Sequence, residues 1–404
     1  MRSIILGFVL LLTITACQKQ SFVPNHHKAA KLATQLQEIY DHGQLPAFAV
    51  AIVTKDSIPF QQAYGYAYVA QQLPYTLHTQ QNIASLSKTF IGVVLMQAIE
   101  AEKLEMETPI NDFLPFQVIN PYAPEQPITV QHLATHTSGI KDGEIENRSI
   151  FLIDKLILSR SEVGKETQQT FTNWAKNSTE DLPAFLEAAL TPNGAYFEKN
   201  RFSKNGAGAA YEYSNLGASL LAYIIELAMQ QPFKDLVRQA IFEPLEMKNT
   251  QWSFENRTTN SQAKGYFQSG QQVPSYQSIL YPSGGVHSTL HDLSLYLMAV
   301  LKNEADTPVL LSPSSFQLMT TPQLTAEQSP PSKTKNQGLM WEIDGNRIGH
   351  NGGNYGRSLF MAVDRKEQVA CLFMTNVSSY QDGRLFPQMI EIWRLLWAEA
   401  QRLN

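Results

Sequence analysis

The chain has 404 residues, and its 31 Lys and Arg against 36 Asp and Glu give a formal net charge of −5. Hydrophobic residues make up 43% of the sequence and charged residues 17%, a composition that excludes an intrinsically disordered chain. The acidic balance and the lack of any Lys/Arg block argue against nucleic acid as a partner. Only two cysteines are present, Cys17 and Cys371, so the sequence excludes a disulfide framework and a cysteine zinc ribbon.

Residues 1–17 are predicted to be a lipoprotein signal peptide. The apolar run at 4–12 has roughly half of the ~20 residues that a membrane-spanning helix needs. It ends in Ile-Thr-Ala-Cys17, which resembles a bacterial lipobox, so we expect Cys17 to be lipidated. Residues 18–27 would then be a tether, and the protein an exported lipoprotein anchored to a membrane and facing the periplasm or cell exterior. Ordinary secretion with a chance cysteine is the alternative.

Strands are predicted near both chain ends, with mainly helical sequence between them. The predicted elements are, in chain order, a helix at 28–42, strands at 47–53 and 58–68, a strongly apolar helix at 85–100, an irregular stretch at 142–208 with a short helix at 182–190, an amphipathic helix at 216–229, two strands within 356–375 and a helix at 386–403. This order predicts one sheet closed by distant segments and interrupted by a large helical insertion.

The pair Ser85-x-x-Lys88 is the first candidate for chemistry. One helical turn places a hydroxyl and an amine on the same face, within hydrogen-bonding reach. Burial lowers the pKa of a lysine, and a neutral lysine can take the serine proton to generate a nucleophile. The same spacing recurs in three polar or glycine-flanked places: Ser138/Lys141, Ser261/Lys264 and Ser332/Lys335. Because only the first pair begins an apolar helix, its context selects Ser85.

Two further motifs supply groups that a serine acyl-transfer site needs. Tyr213-x-Asn215 precedes the 216–229 helix, and His350-x-Gly352 precedes the late strands; each pattern occurs once in the chain. Tyr213 could shuttle a proton to a leaving group, Asn215 could hold the lysine and a substrate amide, and His350 could add a polar or cationic contact. Gly352 and Gly353 would let a strand backbone approach a substrate closely.

These elements occur in the order found in the serine β-lactamase and penicillin-binding-protein family, and the chain resembles its class C-like branch. Residues 128–140, 244–247, 283–286 and 350–356 also resemble family sequence. The resemblance implies an α/β (α+β) fold, with an antiparallel sheet that is flanked by helices, is built from both chain ends and carries a large, mainly helical insertion. We expect residues 28–404 to form this hydrolase domain, with a helical subdomain at roughly 116–283 inserted in the sheet subdomain.

The resemblance also implies the role of each site residue. Ser85 would be the acylated nucleophile, Lys88 and Tyr213 a shared proton relay, and Asn215 an amide contact. Backbone N–H groups of Ser85 and Gly353 would form an oxyanion hole. No cofactor or metal is expected. The substrate would be a small molecule or peptide with an ester, amide or D-amino-acid bond, such as a cell-wall peptide.

Two departures from the family pattern bear on specificity. The chain has Tyr-Ser-Asn where many β-lactamases have Ser-Asp-Asn, and His-Asn-Gly where they have Lys-Thr-Gly. Histidine is mostly neutral at pH 7, so a fixed positive charge for a substrate carboxylate is missing at His350. This argues against efficient β-lactam hydrolysis and favours D-alanyl-D-alanine carboxypeptidase-like, esterase-like or weak β-lactamase activity.

Other patterns in the sequence bear on alternative functions. His132-x-x-x-His136 has zinc-pair spacing, but Leu133 stands where a zinc peptidase has its glutamate, which favours a structural hydrogen-bonding pair. No Gly-x-Ser-x-Gly is present, so an α/β-hydrolase elbow is excluded. A further hypothesis is a catalytically inactive, lipid-anchored protein that binds penicillin or cell-wall peptide in the same cleft. Loss of Lys88 or Tyr213 would favour it, and both are present.

Overall fold

A computed structural model describes residues 26–154, 158, 163–253, 262–305, 307–378 and 383–403. Cys17 and the predicted signal peptide lie outside these residues. Among the helices of this described part, none combines the length and the apolar character needed to cross a membrane.

An antiparallel sheet of eight strands is the centre of the fold. The strands of the described residues, including those of two smaller sheets, are β1 Ala47–Thr54, β2 Phe60–Tyr68, β3 Leu73–Pro74, β4 Gln81–Asn82, β5 Ile150–Leu152, β6 Gln251–Trp252, β7 Tyr276–Ser278, β8 Val286–Ser288, β9 Asn336–Gln337, β10 Glu342–Asp344, β11 Arg347–Asn354, β12 Arg357–Asp364 and β13 Val369–Thr375. The two smaller sheets have the orders β4-β8-β6 and β5-β7. The large sheet has the order β3-β2-β1-β13-β12-β11-β10-β9. Strand β1 pairs with β13, with Phe48 opposite Thr375, so the two chain ends close the sheet.

Helices cover both faces of this sheet. They are α1 His26–His42, α2 Lys88–Glu100, α3 Val130–Ala134, α4 Glu144–Ser149, α5 Lys165–Trp174, α6 Leu182–Leu190, α7 Asn215–Met229, α8 Phe233–Val237, α9 Leu290–Glu304, α10 Pro313–Met319 and α11 Phe386–Leu403. Strand β1 is a continuous apolar run because helices pack on each of its faces. On one face Phe48, Val50 and Ile52 contact α1 and α11, and on the other its alanines belong to the larger hydrophobic core, which includes α2, α7 and α9. The architecture confirms the predicted fold class.

Helix α2 runs through the centre of the larger core. It packs against α7 and α10, and its residues from Lys88 to Met96 are all buried, which explains its apolar character on nearly every face. The sequence predicted one helix from residue 85, but the segment Ala84–Ser87 is a 3-10 turn and α2 begins at Lys88. Ala84 has a φ of 48°, and its N–H is bonded to the Asn82 side chain, so the chain turns at Ala84 and enters α2 through the 3-10 segment.

The stretch at 142–208 contains α4, β5, α5 and α6 and packs beside the β11–β12 hairpin. Phe171 and Trp174 of α5 contact the ring of Tyr355 in the hairpin loop, at 5.1 and 5.5 Å between ring centroids. Strand β5 pairs with β7, where Leu152 lies opposite Tyr276. This stretch therefore packs directly against the loop end of the β11–β12 hairpin.

Candidate active site

Two predicted residues, Lys88 and Tyr213, meet at the hydroxyl of Ser85. The Tyr213 hydroxyl donates to Ser85 Oγ at 2.9 Å, and Lys88 Nζ lies 3.2 Å from the same oxygen. Ser85 lies in the 3-10 turn before α2, and Tyr213 lies just before α7, which packs against α2. Packing of two helices thus brings together groups that are 128 residues apart.

Lys88 is completely buried and contacts three acceptors. Besides Ser85 Oγ, its Nζ donates to Asn215 Oδ1 and to the Ser283 carbonyl, each at 2.6 Å. An ammonium has three donors, so this set satisfies the charged form. Burial nevertheless lowers the pKa of Lys88 to about 7, while the charges of Asp142 and Glu146 oppose the decrease. Near neutral pH a substantial fraction of Lys88 is therefore uncharged and can accept a proton.

Tyr213 is held as a neutral phenol. Its ring lies against His136, at 4.6 Å between centroids, and 4.9 Å from Lys88 Nζ. Burial raises the pKa of Tyr213 well above 10, and the hydrogen bond to Ser85 opposes this only in part. At neutral pH Tyr213 is accordingly a proton donor, while Lys88 is the group that can serve as base.

The N-terminus of α7 is anchored by Asp142. The Asp142 carboxylate accepts from the Ser214 hydroxyl at 2.9 Å and from the backbone N–H groups of Asn215 and Leu216 at 2.7 and 2.9 Å. A helix N-terminus leaves such N–H groups without partners and favours a negative charge. Asp142 therefore fixes the position from which Tyr213 and Asn215 reach Ser85.

Glu146 of α4 extends the same network. Asn215 Nδ2 donates to Glu146 Oε1 at 2.7 Å while Asn215 Oδ1 faces Lys88, so the amide links the carboxyl to the amine. Burial and the nearby Asp142 raise the pKa of Glu146 to about 7, against the opposing effect of Lys88. Sequence reasoning missed Asp142 and Glu146. The available signal was two carboxyl groups four residues apart just after the Thr-Ser-Gly stretch; in the structure Asp142 precedes α4 and Glu146 lies within it.

His350 lies inside β11 and not before the late strands as expected. Its Nδ1 is 2.6 Å from the Asn351 carbonyl, which can only accept, so Nδ1 carries a proton. Burial and the charge of Lys88 lower the pKa of His350 to about 4, although Glu342 opposes this effect. His350 is therefore a neutral polar group whose ring centroid lies 6.4 Å from that of Tyr213. It supplies no cation to the site at neutral pH.

The two glycines after His350 have different surroundings. A Cβ on Gly352 would lie 2.7 Å from the Ile83 carbonyl oxygen and 2.8 Å from Leu86 Cδ1. Its small size thus lets β11 lie against the turn that carries Ser85, which is a different reason from the predicted approach of a substrate. Gly353 does line a cavity of about 310 Å³ together with Ser85, Asn215 and Glu146. This cavity places the Ser85 hydroxyl and the strand backbone within one binding space.

His132 and His136 have separate hydrogen-bonding partners. His132 Nδ1 accepts from the Thr129 N–H at the start of α3, and His136 Nδ1 accepts from the Ser214 N–H at 3.3 Å. Both histidines therefore stabilise local backbone, as the structural hypothesis predicted, and His136 also packs on the Tyr213 ring. Within the ranges that the structure describes, no group of three His, Cys, Asp or Glu side chains is placed to hold a metal ion.

Comparison with known proteins gives consistent matches over most of the chain. A family model described as "Beta-lactamase" matches residues 30–386. "Protein flp" of Staphylococcus aureus (strain N315) is 20% identical over 365 residues, which are 88% of this chain. "Serine beta-lactamase-like protein LACTB, mitochondrial" of Homo sapiens is 24% identical over 343 residues, which are 73% of this chain. The chain spans only 65% and 62% of the lengths of these two relatives.

Two solved structures share the fold. One is the octameric penicillin-binding protein homologue from Pyrococcus abyssi, with a TM-score of 0.68 and 21% identity over 93% of this chain and 78% of that chain. The other is the penicillin-binding protein from Bacillus halodurans, with a TM-score of 0.64 and 22% identity over 90% of this chain and 98% of that chain. At these identities the likeness establishes the architecture alone.

Replacement of Asp142 tests how strongly the site is anchored. Asp142→Ala removes three hydrogen bonds to a carboxylate and should lower the free energy of unfolding by about 3 kcal/mol. Asp181 is the matched control, because it caps α6 through a single bond to the Ala184 N–H. Asp181→Ala should cost about 1 kcal/mol. Urea denaturation of both variants measures the difference, and equal losses would contradict the anchoring role of Asp142.

Proposed function

Because the chain belongs to the beta-lactamase family, we propose that it is a serine hydrolase that works through an acyl-enzyme on Ser85. The observation that carries this proposal is the environment of one hydroxyl. Ser85 Oγ is contacted by a neutral phenol and by a buried amine whose pKa is about 7, and it lines a cavity. A nucleophile next to both a base and an acid is the arrangement that acyl transfer requires.

The geometry supports a two-stage reaction. In acylation, Ser85 Oγ bonds to the substrate carbonyl carbon as its proton passes to neutral Lys88. Collapse of the tetrahedral intermediate breaks the bond to the leaving oxygen or nitrogen, which takes a proton from the Tyr213 hydroxyl, and Lys88 returns its proton to Tyr213. In deacylation, water gives a proton to the relay as it attacks the acyl carbon, and Ser85 regains a proton as the acid product leaves.

The uncharged His350 bears on the proposed substrate. At neutral pH it gives no cation beside Tyr213 for a carboxylate of the leaving part of a substrate. We therefore propose hydrolysis of an ester or amide whose leaving part carries no carboxylate, with β-lactam hydrolysis weak. D-alanyl-D-alanine carboxypeptidase-like activity fits this feature less well, because the leaving D-alanine carries a carboxylate for which His350 supplies no cation. The complete relay around Ser85 argues against an inactive protein that only binds penicillin or cell-wall peptide.

Labelling and turnover of a Ser85 variant test the proposal. A fluorescent fluorophosphonate should label the wild-type protein covalently. Ser85→Ala should not be labelled, and its hydrolysis of p-nitrophenyl esters should fall by roughly 10⁴-fold or more. Ser332→Ala is the control, because Ser332 has the same Ser-x-x-Lys spacing but is exposed. Labelling of Ser85 without turnover of esters, nitrocefin or D-amino-acid amides would favour the binding protein, and turnover by Ser85→Ala would disprove the mechanism.

The pH dependence tests Lys88 as the base. Activity should rise with pH through a value near 7, because the reactive form of Lys88 is the neutral amine whose pKa is about 7. The negative charge of Glu146 raises the pKa of Lys88, so Glu146→Gln should move this rise to lower pH while Gln still accepts from Asn215. Profiles of kcat/KM against pH measure the shift. A shift to higher pH would contradict the assigned base.

We propose, on the sequence of residues 1–17, that Cys17 is lipidated and anchors the protein to a membrane facing the periplasm or cell exterior. In the expressing bacterium, Cys17→Ala should abolish incorporation of labelled fatty acid and move the protein from the membrane fraction to the soluble fraction or leave the precursor. Ser21→Ala is a matched control in the tether. Unchanged membrane partitioning of Cys17→Ala would point to another means of attachment.

A further inference from the structure

A guanidinium lies in the cavity that contains Ser85. Arg357, the first residue of β12, lines this cavity with Ser85, Gly353 and Asn354. No carboxylate that the structure describes forms an ion pair with Arg357, whereas Arg347 and Arg365, on or next to the same hairpin, pair with Asp364 and Glu304. Arg357 is thus a fixed cation without a charged partner among the described residues, and it faces a binding space.

The position of this guanidinium is set by an aromatic platform. Its central carbon lies 5.0 Å from the centroid of the Tyr276 ring. Tyr276 is itself fixed, because its hydroxyl donates to the Tyr355 carbonyl at 3.0 Å and its ring packs on Trp174 at 5.1 Å. A planar guanidinium held in this way can offer two parallel N–H donors, the geometry that matches a carboxylate.

The register of the hairpin places Arg357 away from His350. His350 is opposite Met361, and Asn354 is opposite Arg357, on the same face of the sheet. Four residues of strand separate the two levels, a distance of about 13 Å. Tyr213 lies at the His350 level, since the two rings are 6.4 Å apart. The face therefore has the uncharged His350 beside Tyr213 at one level and a guanidinium at the other, and Lys335 near His350 is already paired with Glu342.

The difference between the His350 end and the Arg357 end of this face indicates where the leaving group and the acyl part of a substrate would lie. In the reaction proposed above, the leaving group takes its proton from Tyr213 and so departs at the His350 end of the face. The acyl part, which stays bonded to Ser85, then extends toward the other end of the hairpin. We propose that Arg357 binds a carboxylate on the acyl part of the substrate, an inference that rests on the proposed hydrolase function.

A second cavity provides space for such an acyl group. It measures about 250 Å³ and shares Arg357, Tyr276 and Asn82 with the first. Its other lining residues are mostly polar and include Gln80, Gln81, Gln262, Lys264 and Asn376. One lining residue, Asp154, carries a carboxylate. Asp154 accepts from the Ser275 N–H at 2.8 Å. Lined in this way, the space beyond Arg357 suits a hydrophilic group and not an aliphatic tail.

A matched pair of esters tests the inference in the full chain. Mono-p-nitrophenyl glutarate and p-nitrophenyl valerate have the same leaving group and differ in a terminal carboxylate against a methyl group. Wild-type protein should favour the glutarate in kcat/KM, and Arg357→Gln should reduce the glutarate-to-valerate ratio by roughly 10- to 100-fold. Arg357→Lys should retain part of the preference. Arg347→Gln, on the same hairpin but paired with Asp364, should keep the wild-type ratio.

A binding measurement separates this inference from the hydrolase proposal. In the Ser85→Ala background, calorimetric titration with each ester should show tighter binding of the glutarate, and the added Arg357→Gln change should abolish the difference. Arg357-dependent binding without turnover by the wild type would retain the anion site and reject the hydrolase. Turnover with the same ester ratio in wild type and Arg357→Gln, together with equal binding, would overturn the role of Arg357 and retain the hydrolase.

Discussion

The burial of the Lys88 amine is the constraint on which the rest of the site depends. A charged amine in a protein core is costly unless hydrogen bonds satisfy it, and Lys88 finds three acceptors in three separate parts of the chain. Asn215 is 127 residues away and Ser283 is 195 residues away. The amine thereby ties the Ser85 turn to α7 and to the segment before β8.

Two carboxyl groups balance this amine without pairing with it directly. Asp142 is engaged by the N-terminus of α7, and Glu146 reaches Lys88 only through the Asn215 amide. A direct ion pair would hold the proton on Lys88 and raise its pKa. The indirect arrangement supplies enough negative charge to allow burial of the amine while its pKa stays near neutrality. Stability and reactivity are therefore set by the same few contacts.

Site residues could be predicted from the sequence where the neighbouring residues distinguish one occurrence of a motif from another. Ser85 and Lys88 could be selected among four equivalent spacings because only that pair begins an apolar helix. Tyr213 could be selected because it belongs to the single Tyr-x-Asn motif of the chain, which precedes the 216–229 helix. The structure brings these three residues together as hydrogen-bonded neighbours. The strands at both chain ends predicted one sheet, and the pairing of β1 with β13 agrees with that prediction.

Features that depend on tertiary contacts could not be predicted in this way. Asp142 and Glu146 look like ordinary charges in an irregular stretch, and their importance comes from α7, which lies some 70 residues further along the chain. The contact of Gly352 with Ile83 and Leu86 joins a strand to a turn far from it in sequence. Arg357 does not belong to any of the sequence motifs described above. Its environment is created by the hairpin register and by an aromatic platform from two other segments.

The two cations of the site respond differently to pH, and this difference links recognition to catalysis. Lys88 must lose its charge to activate Ser85, so the site becomes less positive as it becomes reactive. A guanidinium keeps its charge throughout this range, and His350 is already neutral. With Arg357 at the far end of the hairpin, attraction for an anionic acyl group persists at the pH at which Lys88 is deprotonated. Had the only cation of the cleft been the base itself, activation would have removed the charge that holds the substrate. Because the amine on α2 and the guanidinium on β12 are separate groups, binding and proton transfer can operate in the same pH range.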